Sequence, residues 1–468
     1  VTERSIRPNI VLLVFDTARA DVLEPYGAET GSSPALAELA RSGWAAPACF
    51  ATSNWTLPSH LSMFTGLLPR AAGLGPDVPA AWVVKAHADR SLPTVLRSHG
   101  YATAAVSANP FISETHGFAE GFDRFSRVRR ARRDAPHGDV KSRARWMVQA
   151  VRARVDDGLR EIDDTVGAWI AERHTKPFFW FANLMECHSP YLPPAPYNDL
   201  SFTGRLLAAR DAVRIQSHNG FIAASTGRMR VSESSRRRMR YLYRRAVRSM
   251  DDLLGRVMNR LDDARLLDDT VVIVVSDHGE NFGEGGLYSH MLSLDDRLIR
   301  VPFVVGGGPS VAEPSAPTSL ADVPRILAAA MGLTEHPWHE ASPVDGVAAA
   351  QYDGFASFTP DIAERLVQRL GLDEQSGAAL FRTGECVTDG RFKLVRTSGV
   401  EELFDVATDP METTDVAGRW PEHRERLLRA LDAVEGLPRA TVDQPPPDEP
   451  ESTGSAELEE QMRILGYL

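Results

Sequence analysis

"NIVLLVFDTARAD", Asn9 to Asp21, is the segment whose reading settles the architecture. Its apolar run, Ile10 to Phe15, is continuous and not alternating, the mark of a strand buried on both faces, and it stops at a carboxylate, Asp16. Three more stretches have this character: "YATAAVSA", "KPFFWFANLM" and "TVVIVVSD", with helical patterns between them. Such alternation predicts an α/β fold, a central mostly parallel sheet flanked by helices. Two of these strands end in aspartate, Asp16 and Asp277, and a third runs into "MECHSPY". Open α/β sheets bind ligands at the carboxyl ends of their strands, so the charged groups stand where a site belongs.

The chain has 468 residues, 43% of them hydrophobic, enough for a large core plus a smaller unit. A net charge of −11 excludes nucleic acid as the default partner, although an acidic total can still contain a local site for an anion. No stretch approaches the roughly 20 apolar residues that span a bilayer, and the run after Arg4 and Arg7 is too short for a signal-peptide core. Cys49, Cys187 and Cys386 are scattered, which fits a reducing compartment and offers no zinc-knuckle spacing. These features predict a cytoplasmic protein without membrane partners; they assign no oligomeric state. The arginine-rich segment 228–248 carries Met239, Leu242, Tyr243, Val247, Met250, Leu253 and Leu254 along and just beyond it at helical spacing, so its arginines read as a solvated helix face.

Four regions are expected. Residues 1–374 form the catalytic α/β domain, and 375–442 a small α+β subdomain in which "DG" and "SGVEE" separate short strands as hairpin turns would. Residues 443–455, "DQPPPDEPESTGS", read as a proline-rich linker, and 456–468 as a tail that docks through Leu458, Met462, Leu465 and Leu468.

The chemistry begins with "SDHGENFGEGGLYSH". Asp277 and His278, directly after a buried strand, offer a carboxylate oxygen and an imidazole nitrogen where a metal can be held rigidly. Asp16 adds a second strand-end carboxylate. "TLPSH" places the Thr56 hydroxyl at a helix start, where backbone N–H groups and the helix dipole stabilise an anion.

Together with "TLPSHLSMFTGLLP", "GYATAAVSANPFIS", "MECHSPYLPP", "LIRVPFVV" and "ELFDVATDPMETTDV", these motifs resemble the sulfatase branch of the alkaline phosphatase superfamily along nearly the whole chain. The resemblance implies a central sheet with metal and nucleophile at its carboxyl edge, and a small C-terminal antiparallel sheet. Sulfatases of this family carry Cys or Ser at the place of Thr56, which is oxidised to formylglycine; threonine cannot be, and His60 stands where the motif arginine would be. The first motif usually reads Asp-Asp, here Asp16-Thr17. Threonine at this place resembles the phosphoryl-transferring members instead.

By that resemblance Asp16, Thr56, Asp277 and His278 are metal ligands, and Thr56, His60, His188 and His290 are catalytic. His188 and His290 face substrate or hold a second ion, and Asn109 is a substrate contact. Fewer hard oxygens and an imidazole favour zinc or manganese over calcium or magnesium, as one or two ions. The expected activity is hydrolysis of a small anionic phosphate monoester or diester through a phosphothreonine; the alternatives are a sulfatase working without formylglycine and a soluble phosphoryl transferase. Glu186 and Glu280, acidic neighbours of the metal, read equally as orienting groups or as acids or bases, and Arg19 and Asp21 as helix-face residues.

Overall fold

The computed structural model describes residues 7–75, 78–128, 140–314, 317–339, 346–354 and 367–442, so the expected linker and tail lie outside the described residues. Nine strands matter here: β1 (Asn9–Phe15), β2 (Ala102–Ser107), β3 (Phe178–Leu184), β4 (Thr270–Val275), β5 (Phe303–Gly307), β6 (Ala348–Tyr352), β7 (Gly384–Thr388), β8 (Phe392–Thr397) and β9 (Val400–Asp405). The large sheet runs Trp44–Ala45, β5, β4, β1, β3, β2, Arg124–Arg127. From β4 to Arg124–Arg127 all pairings are parallel; β5 is antiparallel to β4. The fold is the α/β arrangement expected.

Strand periodicity divides the core in two. Val11, Leu13 and Phe15 of β1 face one layer, with α1 (Pro34–Ser42), α3 (Leu159–Ala171) and α4 (Glu233–Asp263); Ile10, Leu12 and Val14 face the other, with α2 (Thr56–Thr65). In α4 all seven apolar residues read from the sequence are buried, and the Ser232 side chain caps the helix by accepting from the Ser235 amide. Tyr243 of α4 donates its hydroxyl to the Thr17 carbonyl at 2.7 Å and accepts from the Arg19 amide at 2.8 Å. The helix thereby pins the loop that follows Asp16.

The C-terminal sheet is a meander, β6-β7-β8-β9, antiparallel throughout, covered by α5 (Pro421–Glu435) through Leu427, Ala430, Leu431 and Val434. Its first strand, Ala348–Tyr352, precedes residue 375 and pairs with β7. "AAAQY" has neither the β-branched content nor the alternation that marks a strand; pairing with β7 makes it one. No helix among the described residues is long and apolar enough to cross a membrane.

Candidate metal and nucleophile site

Parallel register brings the strand ends level. Val14 pairs with Asn183 on one side and Val275 on the other, and Asn183 pairs with Ser107. Asp16, Asp277, Asn183 and Asn109 therefore emerge at one edge. Asp16, Asp277 and His278 are fully buried, and each offers a ligand atom within 4.8 Å of the others. Asp16 Oδ1 and Asp277 Oδ2 are buried without a hydrogen-bond partner, although such groups are normally paired. Burial, then the charge of Asp277, raises the Asp16 pKa to about 7, and burial raises Asp277 likewise to about 7. Two carboxylates with lone pairs to spare and one imidazole fit a divalent cation.

Thr56 opens α2, every residue of which is buried. Its Oγ1 accepts from Asn109 Nδ2 at 3.2 Å and lies 3.4 Å from His278 Nε2. Asn109 also donates to Asp16 Oδ2 at 2.7 Å, and its own oxygen accepts from the Phe111 amide, so the side chain is locked between nucleophile candidate and carboxylate.

His60 lies behind Thr56. Its Nδ1 contacts the Thr56 carbonyl at 2.9 Å and Asp277 Oδ2 at 3.7 Å, and its ring packs edgewise on Phe64, Phe118 and Phe181. Burial lowers its pKa to about 3, leaving it neutral. The ring thus sits at the helix start, between Asp277 and the phenylalanines. His188 and His290 do come together with His278: the His278–His290 ring centroids are 4.5 Å apart and His188–His290 5.3 Å. Burial, reinforced for His278 by His290, lowers both His278 and His290 to about 4.

Thr17, where a second carboxylate was missing, turns away: its hydroxyl points to Cys187 Sγ at 3.6 Å while its amide donates to Asp277 Oδ1 at 3.1 Å. It holds φ at +62°, a left-handed conformation costing about 1–2 kcal/mol in a β-branched residue. Arg19 is a brace, bound to Asp21 and Glu284 and donating to the Glu280 carbonyl. Gly279 allows the turn between His278 and Glu280, since a Cβ there would sit 1.9 Å from the Arg297 carbonyl oxygen. Glu186 accepts from the Leu159 amide at the start of α3. Asn183, which donates to Asp16 Oδ2 at 3.2 Å, escaped the sequence reading, yet a lone amide closing the apolar run "FFWFANL" was its signal.

Residues 8–333 match the sulfatase family. The chain belongs to that family. Choline-sulfatase of Rhizobium meliloti (strain 1021) is 24% identical over 446 residues, 88% of this chain and 82% of the relative, and arylsulfatase K of Xenopus laevis 23% over 430 residues, 82% and 74%. Phosphonate monoester hydrolase of Agrobacterium radiobacter shares the fold with a TM-score of 0.64 at 20% identity, covering 92% of this chain and 95% of that one. A protein solved with its substrate D-glucosamine-2-N,6-O-disulfate gives 0.67 at 17%, covering 92% and 98%. The protein is thus a sulfatase-family hydrolase, a family that binds a divalent metal ion.

Proposed function

We propose that this sulfatase-family protein hydrolyses a phosphoric or phosphonic ester through Thr56, with Asp16, Asp277, His278 and the Thr56 hydroxyl holding a divalent ion, zinc or manganese. The observation that carries this is the Thr56 Oγ1 position, 3.4 Å from His278 Nε2 and held by Asn109. A bound ion would neutralise the two carboxylates and lower the pKa of the adjacent hydroxyl. Asn109 and the start of α2 aim Thr56 at phosphorus, and the P–O bond to threonine forms as the bond to the alcohol breaks. The threonine proton passes through the histidine cluster to the departing alkoxide. Water then cleaves the phosphothreonine and restores the hydroxyl.

The hydrogen-bond and ion-pair partners of Asp16, Thr56, Asp277 and His278 include no lysine or arginine among the described residues. Two carboxylates and one divalent ion sum to zero, and burial holds His278 and His290 toward the neutral form. That balance supports a singly charged ester, a phosphodiester or phosphonate monoester, over a doubly charged phosphate monoester. Sulfate esters are also singly charged, and the names of the choline-sulfatase and arylsulfatase relatives favour that second reading. The test is turnover of bis(nitrophenyl) phosphate, nitrophenyl phosphate and nitrophenyl sulfate under one metal. The proposal expects the diester to be fastest; preference for the sulfate overturns it.

A further inference from the structure

Glu280 is a buried acid that this mechanism leaves unused. It is fully buried, and neither carboxylate oxygen has a well-formed hydrogen bond; the Tyr191 hydroxyl lies close by but outside that geometry. Its Oε1 stands 3.6 Å from Nδ1 of His290. The Ser289 hydroxyl approaches the same nitrogen at 3.4 Å, so two oxygens bracket one edge of the ring. The supports on either side are rigid. Arg19 holds the Glu280 carbonyl at 3.1 Å, Gly279 is wedged against Arg297, and Ser289 and Leu292 flank His290 with φ of +66° and +73°. Non-glycine residues keep such angles only where the surroundings fix them.

An imidazole has two nitrogens with different duties, and the partner of one decides what the other presents. From this geometry we propose that Glu280 is the positioning residue for His290: by engaging Nδ1 it fixes the ring's orientation and tautomer, so that Nε2 is presented to the ester beside His278 and His188. The inference rests on the proposed phosphoryl-ester reading for what His290 acts upon, but not for the Glu280–His290 pairing itself. It does not assign Glu280 to the metal: among the described residues the cluster with converging ligand atoms is Asp16, Asp277 and His278.

The test uses the metal-loaded full chain with ring-¹⁵N-labelled histidine, His290 being assigned by its loss in His290→Gln. Wild type should show one His290 tautomer, Glu280→Gln the same, and Glu280→Leu a mixture. With bis(nitrophenyl) phosphate, Glu280→Leu should lose about tenfold to a hundredfold in kcat with KM changed less, and Glu280→Gln should recover most of that loss, because an amide oxygen can still face Nδ1. If Glu280→Leu fails to fold, Glu280→Met is read in its place. An unchanged His290 signal in the apolar variant, or loss of its bound ion, overturns the proposal. Should no ester be turned over at all, the functional reading fails while the tautomer measurement still decides this one.

Discussion

Two places in this protein bury charge, and they do so in opposite ways. In the C-terminal sheet Lys393 is wholly buried, with Nζ donating to the Leu294 carbonyl at 2.8 Å, Asp296 at 3.1 Å and Glu412 at 2.5 Å. Burial pulls its pKa down, but Glu412 and Asp296 outweigh this and hold it charged. All three ammonium donors are used. At the edge of the large sheet, Asp16 Oδ1 and Asp277 Oδ2 accept no hydrogen bond and Glu280 Oε1 faces His290 Nδ1 only at 3.6 Å, and burial raises these acids to about 7, about 7 and about 8. An isolated buried carboxylate is costly, so a fold keeps one only where something else completes it. The closed cluster is architecture that ties β8 to the segment just after His290; the open one is the candidate site.

This contrast separates the effects of mutation. Asp277→Asn should cut ester turnover on the order of a thousandfold or more, by removing a ligand oxygen beside the nucleophile, while the metal-free variant unfolds no more easily than wild type. Comparing kcat/KM with the thermal midpoint of the metal-free proteins checks both halves. Lys393→Met should reverse the pattern. It leaves Asp296 and Glu412 buried without their cation, a loss of about 3–5 kcal/mol in denaturant unfolding, while the folded fraction keeps turnover within a few-fold. A Lys393→Met protein of wild-type stability would erase the distinction.

The gentlest probe is pH. Asp16, Asp277 and Glu280 have folded-state pKa values above their ordinary ones, so their stabilising contribution is complete below about pH 4 and is lost as pH rises to about 7–8. His60, His278 and His290, lowered from 6.5 to about 3, 4 and 4, act in the opposite sense, but only below pH 6.5. Between pH 6.5 and 8 the carboxylates alone remain, so metal-free protein should lose stability as pH rises across that window. A divalent ion should flatten the slope. A rising midpoint over the same window in metal-free protein would contradict the shifts.

What the sequence disclosed follows the same physics. β1, β3 and β4 are continuous apolar runs because both faces are covered, and Asp16 and Asp277 stood out because nothing else in those runs is charged. The apolar face of α4 was legible from its period. β6 was not, since alanine-rich "AAAQY" becomes a strand through a partner far along the chain. In the site, Thr56, Asn109, His188 and His290 were picked out by their motifs. That Asn109 bridges Asp16 and Thr56, that His60 faces phenylalanines, and that Glu280 faces His290 are facts of three-dimensional neighbours with no local code. Asn183 sits between these cases, a polar residue in an apolar strand whose partner only the register reveals.

The central claim is that the Thr56 oxygen takes the phosphoryl group. Incubation with bis(nitrophenyl) phosphate, an acid quench and mass spectrometry of the peptide containing residues 53–69 test it directly. The account predicts an ester-derived phosphoryl mass localised to Thr56, formed within a turnover and absent in Thr56→Ala, which should also be inactive yet keep its ion. Turnover at the wild-type rate by Thr56→Ala, or a label on another residue, would contradict it.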